Sequence, residues 1–229
     1  MLFRLIGGNL SLESAIIQIL AIIFVVFLIL PIHEFAHAGA AYLLGDKAIK
    51  HRGRLTFNPL AHVDPLGALC LLLLGFGWAK PVPIDPRNFK NPKWGMALTA
   101  LAGPMSNLLC GFVSGIALFS IVHFAPQMFS SDIGYSFILF LFNFLAINVS
   151  LAVFNLIPLP PLDGSKILFA FLPDKAYNFI NYAQRYSFIL IYAVIILLSR
   201  SGLLDVIDSF FMRLCLLNDP LCIYVFGLG

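Results

Sequence analysis

The pentapeptide His33-Glu34-Phe35-Ala36-His37 has the residue types and the spacing of H-E-x-x-H. On a helix, positions 33 and 37 stand one turn apart on one face, so both imidazoles reach a single metal ion. Glu34 lies beside them and can take a proton from a water activated by that ion, then hand it to a leaving amine. Two ligands and a general base thus occupy five residues. A third protein ligand must come from elsewhere, because a catalytic zinc ion holds three protein ligands and keeps one position open.

The element that must present these groups is unusual for its apolarity. Residues 15–30 (AIIQILAIIFVVFLIL) contain no charge and one polar side chain, Gln18. Ionisable groups directly after such a run are expensive at membrane depth and point to function. The pattern predicts a helix from Ser11, a suitable N-cap with Glu13 in the first turn, to Leu44, with Gly45 as the stop. At about 1.5 Å per residue it would run about 50 Å, against a hydrocarbon core of about 30 Å. His33 then lies near the far boundary of the apolar slab, and Pro31 predicts a kink or loosened hydrogen bonding just before it.

Composition agrees. Of 229 residues, 60% are hydrophobic and 11% charged, with a mean hydropathy of +0.95. Soluble domains carry charge on roughly a quarter of their residues, so this is an integral protein of the lipid bilayer. The formal charge of +3 and the sparse basic residues give no case for nucleic acid binding. Met1 to Asn9 carries only Arg4, and the apolar run lacks a small-residue cleavage point, so no cleaved signal peptide is expected.

Eight of the fourteen basic residues lie between Lys47 and Lys93. The positive-inside rule makes this region cytoplasmic and the N-terminus external. Within it, Gly53 to Asn58 reads as strand-like, and Leu66 to Trp78 is apolar but too short to span, which suits a re-entrant or interfacial segment. The proline-rich tract Lys80 to Pro86 suits an extended edge or loop. A second span is predicted from Trp94 to about Phe124, with Gly103-Pro104-Met105-Ser106-Asn107 in its early part permitting close approach and a bend. Asn107, a buried amide in lipid, needs a partner, either another helix or a substrate backbone. Ala125 to Gly134 has no Lys or Arg and reads as external. A third span follows from Tyr135 to about Leu156.

That span ends in Asn155-Leu156-Ile157-Pro158-Leu159-Pro160-Pro161-Leu162-Asp163-Gly164, which cannot continue as an ordinary helix. Irregular backbone at membrane depth is tolerated where it is buried in protein or lines a cavity. Asp163 among apolar residues would cost about 2.5–3.5 kcal/mol on insertion scales, which a divalent cation offsets. It falls on the same predicted side as His33 and His37 and is the preferred third ligand. His62, Asp64 and His123 are rivals, read rather as turn residues and an interfacial residue. Cys70, Cys110, Cys215 and Cys222 lack C-x-x-C spacing and read as small buried hydrophobes, although Cys215 and Cys222 could pair in an oxidising compartment. A fourth span is expected from about Tyr186 to Leu198. The tail from Leu203 to Gly229 reads as an amphipathic surface helix or a short return span.

The whole is an all-α polytopic membrane protein with about four transmembrane helices, a short cytoplasmic-side β-hairpin or re-entrant segment, and a C-terminal amphipathic helix. It forms a single domain over 1–229, with a core at 12–172 and C-terminal helices at 173–229.

H-E-x-x-H in the first long apolar helix, G-P-x-x-N in a later one and N-x-x-P-x-P-x-L-D-G after a third together resemble the site-2 protease family of intramembrane zinc metalloproteases. The likeness covers most of residues 12–171. It implies one zinc ion per chain bound by His33, His37 and Asp163, with Glu34 as base, and a substrate that is the transmembrane segment of another protein. It further implies that Asn107 and Asn155 hold the unwound substrate and its scissile carbonyl. No segment is long enough to be a PDZ domain, so selection by such a module is not expected. The expected place is the cell membrane, multi-pass, with the active site near the cytoplasmic side. Other classes compatible with buried ionisable groups are a catalytically silent scaffold, which would be expected to have lost Glu34 or a ligand, and an ion or solute transporter, which usually shows internal repeats not found here.

Overall fold

The computed structural model describes residues 23–74, 79–173, 186, 193 and 202–228. Among these the regular elements are helical: α1 (Val25–Leu44), α2 (Ala48–His51), α3 (Pro65–Leu74), α4 (Pro92–Phe124), α5 (Asp132–Leu156), α6 (Asp163–Phe171), α7 (Leu203–Cys215) and α8 (Pro220–Val225), with short 3-10 turns at Pro59–Ala61, Pro86–Asn88 and Pro126–Ser130. Three of them, α1, α4 and α5, are long and apolar enough to cross a membrane. The predicted start of the first helix at Ser11 lies outside the described residues, as does most of the fourth span at Tyr186 to Leu198. Two compact units divide the chain, Met1–Gly103 and Pro104–Gly229, with the division falling inside α4.

In the first unit, α1 opens with a π-helical turn, Val25–Ile29, in which the Leu30 N–H reaches back to the Val25 carbonyl. This is the loosened hydrogen bonding expected beside Pro31, whose ring nitrogen has no proton to give. The helix stops at Gly45, which takes a φ of 128° and lies so close to the Asn88 carbonyl that a Cβ would come within 2.6 Å of it. Asp46 follows, fully buried, accepting hydrogen bonds from the Asp85 N–H at 2.9 Å and the Asn88 side chain at 2.8 Å. Around this clamp Ala38, Ala41, Ile49, Val82 and Phe89 close a small core. The last turns of α1 are thereby fixed to the loop before α4.

The expected hairpin strand at Gly53 to Asn58 is a turn instead. Gly53 has a left-handed φ of 67°, Asn58 caps the next 3-10 turn through the Leu60 N–H at 3.1 Å, and the Arg54 guanidinium donates to the Ala61 carbonyl. The Gly53 and Arg54 N–H groups go back to the Lys50 and Ile49 carbonyls, the Asn58 N–H to the Thr56 hydroxyl and the Asn58 carbonyl to the Ala61 N–H, so local bonds use groups that a partner strand would need. Pairing among the described residues is limited to an isolated antiparallel bridge, Val63 with Ala79. Part of the expected re-entrant stretch forms α3, capped by the Asp64 carboxylate on the Gly67 N–H at 2.9 Å.

The second unit packs α7 on α5 around Leu118, Leu145, Val149, Val153, Met212 and Leu216. Gly115 lets α4 approach the end of α7, since a Cβ there would meet the Cys215 carbonyl oxygen at 1.9 Å. The Ser114 hydroxyl donates across to the Leu141 carbonyl at 2.8 Å. Outward faces of α4 and α5 carry large apolar side chains such as Leu109, Val113, Phe137 and Phe140, as lipid contact requires. α7 shows Val206, Phe210 and Leu214 at helical spacing on its open side. All four cysteines are unpaired. Burial pushes the Cys215 thiol up to about 11, and burial together with the Asp219 carboxylate pushes that of Cys222 up to about 12, so without a metal ion both rest as protonated thiols.

Candidate metal centre

His33, Glu34 and His37 lie in the α-helical part of α1 and are all nine-tenths or more buried. The one-turn spacing puts the two rings edge to face, with centroids 4.6 Å apart and planes at 85°. Their Nε2 atoms are 3.0 Å from each other. The Nδ1 of His37 lies 2.7 Å from the Thr99 carbonyl oxygen on α4. A carbonyl can only accept, so Nδ1 carries the proton and Nε2 presents its lone pair toward His33. A hydrogen bond of this kind is what fixes the tautomer and orientation of a histidine able to ligate a metal.

The residues fit a zinc ion. Two imidazole nitrogens at about 2.0–2.1 Å from a tetrahedral ion sit roughly 3.3 Å apart, close to the spacing found here. The space beside them is kept open by Gly103, where a Cβ would come within 2.4 Å of His37 Nε2 and 2.6 Å of His33 Cε1. Glu34, the neighbour of both, has no protein hydrogen-bond donor on its carboxylate among the described residues. It is available to exchange a proton with water.

In the second unit the broken segment after α5 delivers Asp163 to the first turn of α6, where the helix dipole favours a carboxylate. Asp163 is buried, and its Oδ1 accepts from the Lys166 ammonium at 3.0 Å. Gly164 explains the Asp-Gly pair: a Cβ there would meet the Leu156 and Ile157 carbonyl oxygens at 2.3 and 2.5 Å. Only glycine lets α6 fold back so tightly on the end of α5. Asn107 on α4 is fully buried, and neither its amide oxygen nor its amide nitrogen has a hydrogen-bond partner among the described residues. Asn155 on α5 is half-buried and donates to the Leu151 carbonyl of its own helix at 3.0 Å. One of its two amide hydrogens is therefore used locally.

The rival ligands have other occupations. His62 is buried with Nε2 at 2.8 Å from the Thr56 carbonyl, and Asp64 is the cap of α3. His123 faces Asp219 at 3.3 Å. Two contributors were not legible in the residue pattern. The Thr99 group that holds His37 is a backbone carbonyl, which any residue supplies. The closeness of Gly103 to the histidines needs the fold, although its place in G-P-x-x-N marked it for a close approach.

Comparison with known proteins agrees with this chemistry. The family described as peptidase family M50 matches residues 118–199. YwhC of Bacillus subtilis, assigned by name to the zinc metalloproteases, is 40% identical over 161 residues, which are 69% of this chain and 71% of that protein. Rip2 of Mycolicibacterium smegmatis, similarly named, is 29% identical over 73% of this chain and 63% of its own length. Rip2 of Mycobacterium tuberculosis is 26% identical over 76% of this chain and 65% of its own length. No solved structure matches the chain. The chain belongs to peptidase family M50, the site-2 protease family, and is a membrane metalloendopeptidase.

Proposed function

We propose that this enzyme cuts peptide bonds within or next to the transmembrane segments of other membrane proteins, as in regulated intramembrane proteolysis, using one zinc ion held by His33, His37 and Asp163. All three residues are buried. The observation that carries this reading is the histidine pair itself. Two Nε2 atoms 3.0 Å apart, with one ring locked by the Thr99 carbonyl, sit on a helix apolar enough to cross a bilayer. A water-requiring hydrolytic site in such a helix suits a bond that is itself in the membrane.

Zinc supplies Lewis acidity that makes water a nucleophile near neutral pH. Glu34 takes the proton from the attacking water and gives it to the departing amine, a role that its unbonded carboxylate supports. Lys166 beside Asp163 holds that carboxylate in one orientation. Asn107 offers both halves of a buried, unpartnered amide to the backbone of an unwound substrate, which has one free N–H and one free carbonyl per residue. The free hydrogen of the Asn155 amide is the second substrate contact and steadies the developing oxyanion. A helical substrate must first unwind, because its amides are shielded by their own hydrogen bonds. The stretch at Val82 to Ile84, which has no regular structure of its own, is the better remaining place for it to lie, since Gly53 to Asn58 is a turn.

The basic residues between 47 and 93 support an orientation with that side in the cytoplasm, the site near the inner face of the cell membrane and the N-terminus outside. Cleavage of a reconstituted membrane-anchored reporter by wild type and by Glu34→Gln tests the assignment. Wild type alone should release product, and equal release by both would remove it.

A further inference from the structure

In the second unit three side chains of ligand type converge: His123 in the last turn of α4, Asp219 before α8 and Cys222 within α8. One ligand atom from each lies within 4.8 Å of the other two. His123 Nε2 is 3.3 Å from Asp219 Oδ1, which also accepts the Cys222 N–H at 2.8 Å. That backbone bond fixes the carboxylate, and the His123 ring rests on Phe119 with centroids 4.4 Å apart. Cys222 is fully buried beside Leu118 and Val122, whereas the His123 and Asp219 side chains are 32% and 18% exposed. The cluster therefore has an anchored floor and one open side through which an ion can enter.

We propose that His123, Asp219 and Cys222 form a second metal site, separate from the histidine pair of α1, for a divalent ion of the zinc class. The donor set is one nitrogen, one oxygen and one sulfur. Calcium and magnesium take oxygen alone, while a thiolate with an imidazole selects zinc, cobalt or related ions. Bonds of about 2.0–2.3 Å place ligand atoms roughly 3.3–3.8 Å apart around a tetrahedral ion. The His123–Asp219 pair already stands at 3.3 Å, and the three ligand atoms lie within 4.8 Å of one another. On binding, the Cys222 S–H bond breaks, a sulfur–metal bond forms, and the proton leaves to solvent. The ion ties the end of α4 to the connection between α7 and α8, segments far apart in the chain, and this stabilises the C-terminal helices.

Cobalt(II) distinguishes this site from the histidine pair, because His33, His37 and Asp163 include no sulfur. The full chain in detergent is stripped with a chelator, reloaded with cobalt and read in the near ultraviolet, where a thiolate–cobalt bond absorbs. Metal content is measured alongside. Wild type should show the band; Cys222→Ser and His123→Gln should lose it and bind one ion fewer. The His123 variant alters only the open rim and guards against misfolding of the core. His37→Ala should keep the band while losing the other ion, so failure of the protease reading leaves this result readable. A wild type with no band, and with the metal content of both rim and core variants, overturns the proposal.

Discussion

α1 and α5 both carry polar side chains inside apolar helices, yet the two helices satisfy them in different ways. On α5 the amides of Asn143, Asn148 and Asn155 donate to the Leu139, Phe144 and Leu151 carbonyls, each one turn back, at 2.8, 2.9 and 3.0 Å. Each of these amides spends one hydrogen on its own helix, and Asn155, at the helix end, keeps the other for a substrate. On α1 the polar atoms point outward: His37 Nδ1 goes to Thr99 on another helix, the two Nε2 atoms face each other, and Glu34 takes no protein donor among the described residues. A polar group that its own helix can satisfy needs no function to explain it, whereas one aimed away from its helix at membrane depth does. The largest expected effect follows directly. His37→Ala should lose bound zinc and all measurable cleavage. Glu34→Gln should keep the zinc and lose about 100- to 10,000-fold in kcat. Metal analysis paired with reporter cleavage separates the two, and a Glu34→Gln enzyme with wild-type kcat would put α1 in the same class as α5.

A smaller change sharpens the contrast from the side of α4. Gly103→Ala adds one methyl group, but it falls 2.4 Å from His37 Nε2. Because the imidazole is held at Nδ1 by Thr99, it can yield only by breaking that bond or leaving the metal position. Zinc affinity or activity should fall by about 10- to 100-fold, the usual cost of disturbing an outer-sphere partner. Zinc titration monitored by activity checks this.

Asn107 tests whether an amide can belong to the outward-pointing class. It is fully buried with both amide atoms unpartnered among the described residues, so replacing it by the near-isosteric leucine removes a desolvation penalty. Asn107→Leu should leave the protein as stable or more stable by about 1 kcal/mol, while kcat/KM falls by roughly 10-fold or more as a substrate hydrogen bond is lost. A purely structural amide would lose stability and keep kcat/KM. Asn143→Leu, on the exposed face of α5, should change both by little, within about 0.5 kcal/mol in stability. Thermal melts and reporter kinetics on the pair decide.

How much of this was legible in the residues depended on whether the signal was local. His33, Glu34 and His37 are read from one helical turn, and the three long helices from hydropathy, because both patterns are short-range consequences of backbone geometry. Gly45 was readable as a stop, and Pro31 as a disturbance, though not the π-helical form that it takes upstream. At Gly53 to Asn58 six residues of mixed polarity fit a strand or a turn equally. The left-handed Gly53 and the Asn58 cap decide it, together with the return of the Gly53 and Arg54 N–H groups to the turn before them. The Thr99 carbonyl and the fit of Gly164 under the Leu156 carbonyl are contacts of backbone with distant or folded-back chain, which no side-chain pattern encodes.

The least of the expected effects concerns how the outward-pointing helix is anchored. The last turn of α1 is clamped through Asp46 to the Asp85 N–H and to Asn88, whereas α5 is capped by its own Ser131. The Asp85 carboxylate in turn holds the Arg87 side chain at 3.0 and 2.8 Å and accepts the Arg87 N–H. These bonds, with the Arg87 side chain foremost, lower its pKa from 3.8 to about 2. A carboxyl whose folded pKa is depressed contributes stability that is fully present above its unfolded value and fades as pH falls through the folded one. Wild type should therefore lose a small part of its thermal stability between about pH 4 and pH 2 that Asp85→Asn has already lost. The two Tm curves should converge toward the acid end and lie apart above it, and salt should shrink the gap because the pair is exposed to solvent. Parallel curves across that window would show that the clamp on α1 does not depend on the Asp85 charge, leaving Asp46 and Asn88 to hold it alone.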